Sequence, residues 1–105
     1  MKPQIKIPKV WLEKFCKDNY IIKMSFFGSV ISDHFTEASD IDILVEFDPK
    51  HVPGLFGLVG MRNSLSDHLG RDVDLRTPED LSVLFRNEVI RESYPIYGKE
   101  RFKSA

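Results

Sequence analysis

Between Ile41 and Phe47 the odd-numbered positions Ile41, Ile43, Val45 and Phe47 are all apolar, the period of two that a half-buried strand requires. Asp40, Asp42, Leu44 and Glu46 then share the other face. Upstream, Pro8 suits a first helical turn, and Trp11, Leu12, Phe15 and Cys16 recur at helical spacing, so a helix is expected over about 8 to 19. Tyr20 to Phe27 reads as the first strand, with Ile22, Met24 and Phe26 on one side, and it ends in a Gly28-Ser29 turn. Downstream, Asp48 to Gly54 is rich in breakers and reads as loop. A helix from about Leu55 to Leu69 follows, its apolar stripe assigned to Leu55, Leu58, Val59, Arg62, Leu65 and Leu69, with Gly70 as its stop.

Arg71 to Arg76 predicts a short third strand. Thr77 as N-cap and Pro78 in the first turn predict another helix, running through Leu81, Leu84, Phe85 and Val89 to about Ser93. Tyr94 to Gly98 is read as extended or turned, and 99–105 as a mobile polar tail. Strands alternate with helices, which predicts an α/β or α+β class: a small sheet with helices packed against it.

Composition narrows the picture without choosing a function. A length of 105 residues predicts a single domain over 1–105, and 42% apolar with 30% charged residues is ordinary for a soluble protein. Fifteen basic against sixteen acidic residues leave a net charge of −1, so any nucleic acid would have to be held by a local patch, and stable binding is not expected. The single cysteine, Cys16, excludes an internal disulfide and reads as a small buried apolar residue. No apolar run has the length of a membrane span and the first residues lack a signal-peptide core, so the expectation is a cytoplasmic protein away from membranes.

The acidic positions change the picture. On one side of a strand Asp40 and Asp42 stand roughly 6.5 Å apart. Two carboxylates about 5 Å apart repel by on the order of 3 kcal/mol at an effective dielectric near 20. Such a cost beside a buried face marks a place for cations. Asp74, flanked by Val73 and Leu75 as Asp42 is by Ile41 and Ile43, is the natural third carboxylate, with Asp72 its competitor nearer the loop. Gly28 allows a sharp turn and close approach, and the Ser29 hydroxyl with the following amides suits phosphate oxygens. Gly54, Gly57 and Gly60 lack the ending of a phosphate loop and are read as close helix packing on the sheet. His34, His51 and His68 are scattered without metal-ligand spacing and are assigned to the surface.

Gly28-Ser29, ten residues, then Asp40-Ile41-Asp42, joined to the later VDLRTPEDL, resembles the signature of the minimal nucleotidyltransferase (MNT) family, the antitoxin half of HEPN/MNT toxin-antitoxin pairs in the DNA polymerase beta-like superfamily. The similarity runs from roughly Phe26 to Gly98. The resemblance implies a nucleotidyltransferase fold with a small mixed sheet, Gly28 and Ser29 at the nucleotide's triphosphate, and Asp40, Asp42 and Asp74 as metal ligands and catalytic acids. It further implies two Mg2+ ions, with Mn2+ as a substitute, ATP as substrate, and a HEPN toxin as partner that receives AMP on a tyrosine. Relatives often carry an arginine soon after the Gly-Ser turn. Val30 to Asp33 holds none, which leaves Arg62, Arg71 or Arg76 to meet phosphate.

Size bears on the acceptor, because a chain this short has no room for the extra domains that hold a primer and template. The leading expectation is an ATP-dependent protein adenylyltransferase acting as antitoxin. The rival is a non-catalytic antitoxin that neutralises its toxin by direct binding. Transfer to a small molecule or an RNA end is a third reading.

Overall fold

The computed structural model describes residues 5–98. Its centre is a four-stranded sheet of β1 (Ile21–Phe27), β2 (Ile41–Phe47), β3 (Val73–Arg76) and β4 (Tyr94–Tyr97), in the order β3-β2-β1-β4. β2 runs antiparallel to β1 and parallel to β3, and β4 closes the other edge antiparallel to β1. Three helices accompany the sheet: α1 (Lys9–Asp18), α2 (Leu55–Leu69) and α3 (Arg86–Glu92). The class is therefore α+β with a small mixed sheet, as the alternation of elements predicts.

Period-two alternation in β2 divides the molecule. Ile41, Ile43, Val45 and Phe47 face a core built with Met24 and Phe26 of β1, Leu12, Phe15 and Cys16 of α1, and Met61 and Leu65 of α2. Trp11 stacks on Phe15 and, at 3.8 Å between ring centres, on His68, which ties α1 to α2. Cys16 is fully buried and burial pushes its thiol up to about 12, so it is an inert part of this core. On the opposite face Leu44 is also buried, under Leu81 and Ile90.

Four expectations need correction. Ile22 does not join Met24 and Phe26. The β1–β2 register shifts between Ile21 and Lys23, so Ile21 takes the core position and Ile22 is left largely exposed. In α2 the buried pair is Met61 and Leu65, whereas Leu55 and Val59 are exposed and Phe56 is 91% exposed. This helix has apolar residues on more than one side, and only the stripe above the sheet is used.

The third correction concerns the glycines of α2. A side chain at Gly54 or Gly60 would meet open space, and one at Gly57 would meet only Pro53, so these residues do not serve close packing on the sheet. Gly70, by contrast, sits at φ +68 with its N–H on the Ser66 carbonyl and ends the helix as expected.

The fourth is the segment after β3, which is not one helix. Pro78–Asp80 makes a single 3-10 turn, in which the Asp80 carboxylate accepts bonds from the Thr77 N–H and hydroxyl, both at 3.1 Å. The chain then extends through Leu81, which drops onto Leu44, and helix resumes only at Arg86. The break interrupts the helical ladder, and the Arg86 guanidinium donates to the carbonyls of Pro78, which also accepts the Leu81 N–H, of Glu79 and of Leu81, at 2.8, 3.3 and 3.1 Å. Leu84 and Phe85, expected within that helix, precede α3 instead and are exposed. The expected tail at 99–105 lies outside the described residues.

Candidate active site

Phe27, Asp42 and Asp74 stand in register across three neighbouring strands, at the C-terminal end of β1 and near the N-terminal ends of β2 and β3. Strand spacing places successive members of this row about 4.8 Å apart. Asp42 and Asp74 are thus direct neighbours on the face opposite the main core. Asp40 lies on the exposed approach to β2 and is close enough to add to the field at Asp42. Asp72 falls outside β3. Its carbonyl receives the Ile41 N–H at 2.9 Å, and its exposed side chain borders a shallow depression with Ser66, Asp67, Gly70 and Arg71.

The turn after β1 completes the arrangement. Gly28 has φ +71, and a Cβ built there would lie 2.2 Å from Asp42 Oδ2 and 3.2 Å from its Cγ. Only glycine fits, for conformation and for space at once. Residues Gly28–Ile31 form a 3-10 turn that drives Val30 into the core, and half-buried Ser29 sits in its first positions. The Ser29 carbonyl accepts the Ser32 N–H at 2.9 Å and the Ser32 hydroxyl at 3.0 Å, which holds the turn tight.

The electrostatics follow from this crowding. Burial first, then the charges of Asp74 and Asp40, push the Asp42 carboxyl up to about 6, with Arg76 opposing. Arg76 Nε donates to both oxygens of Asp74, at 3.2 and 3.1 Å. Of the three arginines considered for phosphate, Arg76 alone stands among these acids. Arg62 turns to the Asn63 side chain at 2.8 Å. Arg71 lies over the Phe35 ring and donates to the carbonyls of Thr36 and, at 2.7 Å, Ser39, so it fastens the excursion between β1 and β2.

Whether these residues suit divalent cations is a matter of donors and charge. The set is all carboxylate oxygen, which favours Mg2+ or Mn2+ over softer metals. A carboxyl raised by its neighbours' charge is one that a cation would relieve. Among the described residues no group of three His, Cys, Asp or Glu side chains is gathered tightly enough to hold a metal as it stands. The Arg76 guanidinium occupies Asp74, so metal binding at that carboxylate requires Arg76 to release it. His34, His51 and His68 are exposed, as expected; His51 stacks on Tyr20 at 3.9 Å and His68 on Trp11.

Sequence reasoning did not reach the pocket beside the turn. A cavity of about 510 Å³ opens between the turn and α3, lined by Phe27, Gly28, Ile31, Ser32, Val89 and Glu92. Val89 and Glu92 carry no local signal that would pair them with Gly28, because only the broken helix brings α3 over β1. Ser25, on the same face, is buried and its hydroxyl has no hydrogen-bond partner.

Residues 9–97 match the family model described as "Nucleotidyltransferase domain". A Methanocaldococcus jannaschii protein, provisionally named a protein adenylyltransferase, is 36% identical over 81 residues, which covers 76% of this chain and 81% of that one. Among solved structures, a chain in a crystal structure of a toxin-antitoxin with AMP-PNP superposes with a TM-score of 0.72 at 22% identity, over 90% of this chain and 76% of the other. A chain in the complex of a tri-AMPylated Shewanella oneidensis HEPN toxin with MNT antitoxin superposes with a TM-score of 0.63 at 22% identity, over 87% and 70% of the two chains. At that identity the two likenesses concern the fold. Among the described residues no helix is long and apolar enough to cross a membrane.

Proposed function

We propose, on the premise that the chain belongs to the nucleotidyltransferase domain family, that it transfers AMP from ATP to a tyrosine of a partner HEPN toxin and so acts as antitoxin. The observation that carries this reading is the juxtaposition of Asp42 and Asp74 in register, with the Gly28 backbone pressed against the Asp42 carboxylate. The relative named for protein adenylyltransfer, and a fold shared with a complex whose toxin is AMPylated, support AMP as the group and a toxin as the acceptor. The fold shared with a structure holding AMP-PNP supports ATP as the donor.

The chemistry asks for in-line attack. The phenol oxygen forms a bond to the α-phosphorus, the bond from that phosphorus to the bridging oxygen breaks, and pyrophosphate leaves with the electron pair while the phenol proton goes to solvent or a nearby carboxylate. Asp40, Asp42 and Asp74 would hold two Mg2+ ions, or Mn2+ in their place. When bound, these ions stabilise charge on the attacking and leaving oxygens. Gly28 would leave its backbone open to a phosphate, and the Ser29 hydroxyl would donate to it. Strands β2 and β3 fix Asp42 and Asp74, so the chain would contribute position more than proton transfer. Arg76, once it leaves Asp74, would be available to a triphosphate held beside the acids. The expected location remains the cytoplasm, where the partner and ATP meet.

Incubating the chain with ATP, Mg2+ and its partner toxin should add the mass of one or more AMP units to the toxin. Asp42→Asn should lower that transfer about a thousandfold, read by intact mass spectrometry. The Arg76 clasp on Asp74 favours one other reading, a non-catalytic antitoxin that neutralises by binding. Neutralisation that survives Asp42→Asn, with no adduct formed by the unsubstituted chain, would establish it.

A further inference from the structure

Asp74 and Arg76 are alternate residues of β3, so their side chains rise from one face of the sheet, beside Asp42 and Leu44 of β2. The Arg76 Nε–H is shared between both Asp74 oxygens, at 3.2 and 3.1 Å, and the clasp engages neither terminal nitrogen of the guanidinium. The pair is open to solvent, with 45% of the Arg76 side chain and 39% of the Asp74 side chain exposed. An ion pair this exposed is weakly held. Other guanidiniums near the sheet are tied to the chain itself: Arg71 donates to the carbonyls of Thr36 and Ser39, and Arg86 to those of Pro78, Glu79 and Leu81. Arg76 is held only by a carboxylate that the proposed reaction needs for something else.

Charge balance gives the clasp a direction. With no ligand, Arg76 offsets the charge of Asp74, while burial and the charges of Asp74 and Asp40 keep the Asp42 carboxyl raised. A triphosphate brought to this row adds more negative charge than one arginine can balance. A guanidinium pairs with phosphate as well as with carboxylate, so Arg76 can serve either partner. A guanidinium and a dication on one carboxylate repel each other, so Asp74 cannot serve both at once.

We propose that Arg76 couples metal loading to nucleotide binding: it covers Asp74 until a triphosphate is present, then passes to a phosphate oxygen and frees the carboxylate to ligate a divalent cation. The inference rests on the adenylyl-transfer reading above and adds an order of events to it. Arg76 is a positioning residue that acts through Asp74 and, after the exchange, a phosphate contact. The coupling is reciprocal, since whatever favours a cation at Asp74 also favours Arg76 on phosphate. No covalent bond changes in this exchange.

The test uses the full chain and two probes that need no turnover: Mn2+ alone, followed by the electron paramagnetic resonance signal of the free ion, and inorganic tripolyphosphate in saturating Mg2+, followed by calorimetry. Arg76→Gln should tighten Mn2+ binding to the nucleotide-free chain about tenfold and weaken tripolyphosphate about tenfold. Opposite signs are the signature, because a merely structural role would weaken both or neither. Arg76→Lys, which keeps a cation and loses the fork, should fall between the wild type and Arg76→Gln in both titrations, and equal melting temperatures show that the variants fold. Loss of a positive charge favours Mn2+ wherever that charge stands, so Arg76→Gln is repeated in an Asp74→Asn background, where the Mn2+ gain should vanish. A gain that survives without the Asp74 carboxylate, no gain at all, or tripolyphosphate bound equally with and without Arg76 overturns the proposal. In spectra of the 15N-labelled chain the Arg76 Nε–H signal, identified by its loss in Arg76→Gln, should move when Mg2+ and tripolyphosphate are added together, and a signal that stays in place overturns it too. A wild-type chain and an Arg76→Gln chain that both ignore Mn2+ and tripolyphosphate overturn the underlying transferase reading instead.

Discussion

The two faces of β2 are built from alternate residues of one strand, yet they answer to different requirements. Ile41, Ile43 and Val45 point into a buried apolar core under α1 and α2. Asp42 points the other way, against a glycine backbone and beside a second carboxylate, where only Leu44 and its small cluster give cover. The first face gains free energy by excluding water. The second gives some of it back to hold charge in place. Substitutions on the two faces should therefore differ in sign and not merely in size.

The largest effect is expected on the sealed face. Ile43→Ala removes a fully buried side chain and should destabilise the protein by about 3 kcal/mol, measured by urea denaturation. A loss below about 1 kcal/mol would mean that this core is loosely packed. Gly28→Ala comes next, since it forces a Cβ into a left-handed conformation and into the Asp42 carboxylate. It should cost about 2 kcal/mol and also abolish transfer, which a purely structural glycine would not do at temperatures where the variant is folded.

On the acidic face the sign reverses. Asp42 has its carboxyl raised from 3.8 to about 6, so between those values the folded chain binds more protons than the unfolded one, and stability falls as pH rises through that window. Asp42→Asn should then stabilise the metal-free protein by about 1 kcal/mol at pH 7, after allowance for solvent screening of a half-exposed group, and the gain should vanish near pH 4. A gain that persisted at pH 4 would locate the effect in packing and not in charge. Ser25 gives the smallest contrast. Its buried hydroxyl lacks a partner, so Ser25→Ala should add about 1 kcal/mol or less, independent of pH.

The same contrast explains what was legible in the sequence. β2 and the position of Asp42 could be read directly because alternation and flanking apolar residues are local, and Asp74 was found by the same flanking rule. The bounds of α2 and its stop at Gly70 were equally local. The burial of Met61 in place of Leu55 and Val59 was not, because an apolar residue does not announce which neighbour will cover it. The break after Asp80 depends on Leu81 meeting Leu44 and on Arg86 reaching back to three carbonyls, a compensation that no window of helix propensity contains. The recess beside Gly28 inherits that illegibility, since α3 forms its far wall. Of the three arginines weighed for phosphate, only three-dimensional placement separates Arg76 from Arg71.

β2 and β3 are parallel, and the whole of α2 must be threaded between them before Asp74 can meet Asp42. A hairpin could have joined two antiparallel strands early, whereas this pairing waits for a crossover to close. On the proposed reading, a nascent chain that has emerged only through α2 carries Asp40 and Asp42 without Asp74, so competence would arrive late in synthesis and would be lost whenever the edge strand β3 separates from β2. Hydrogen exchange along Val73 to Arg76 would then track activity more closely than global unfolding does.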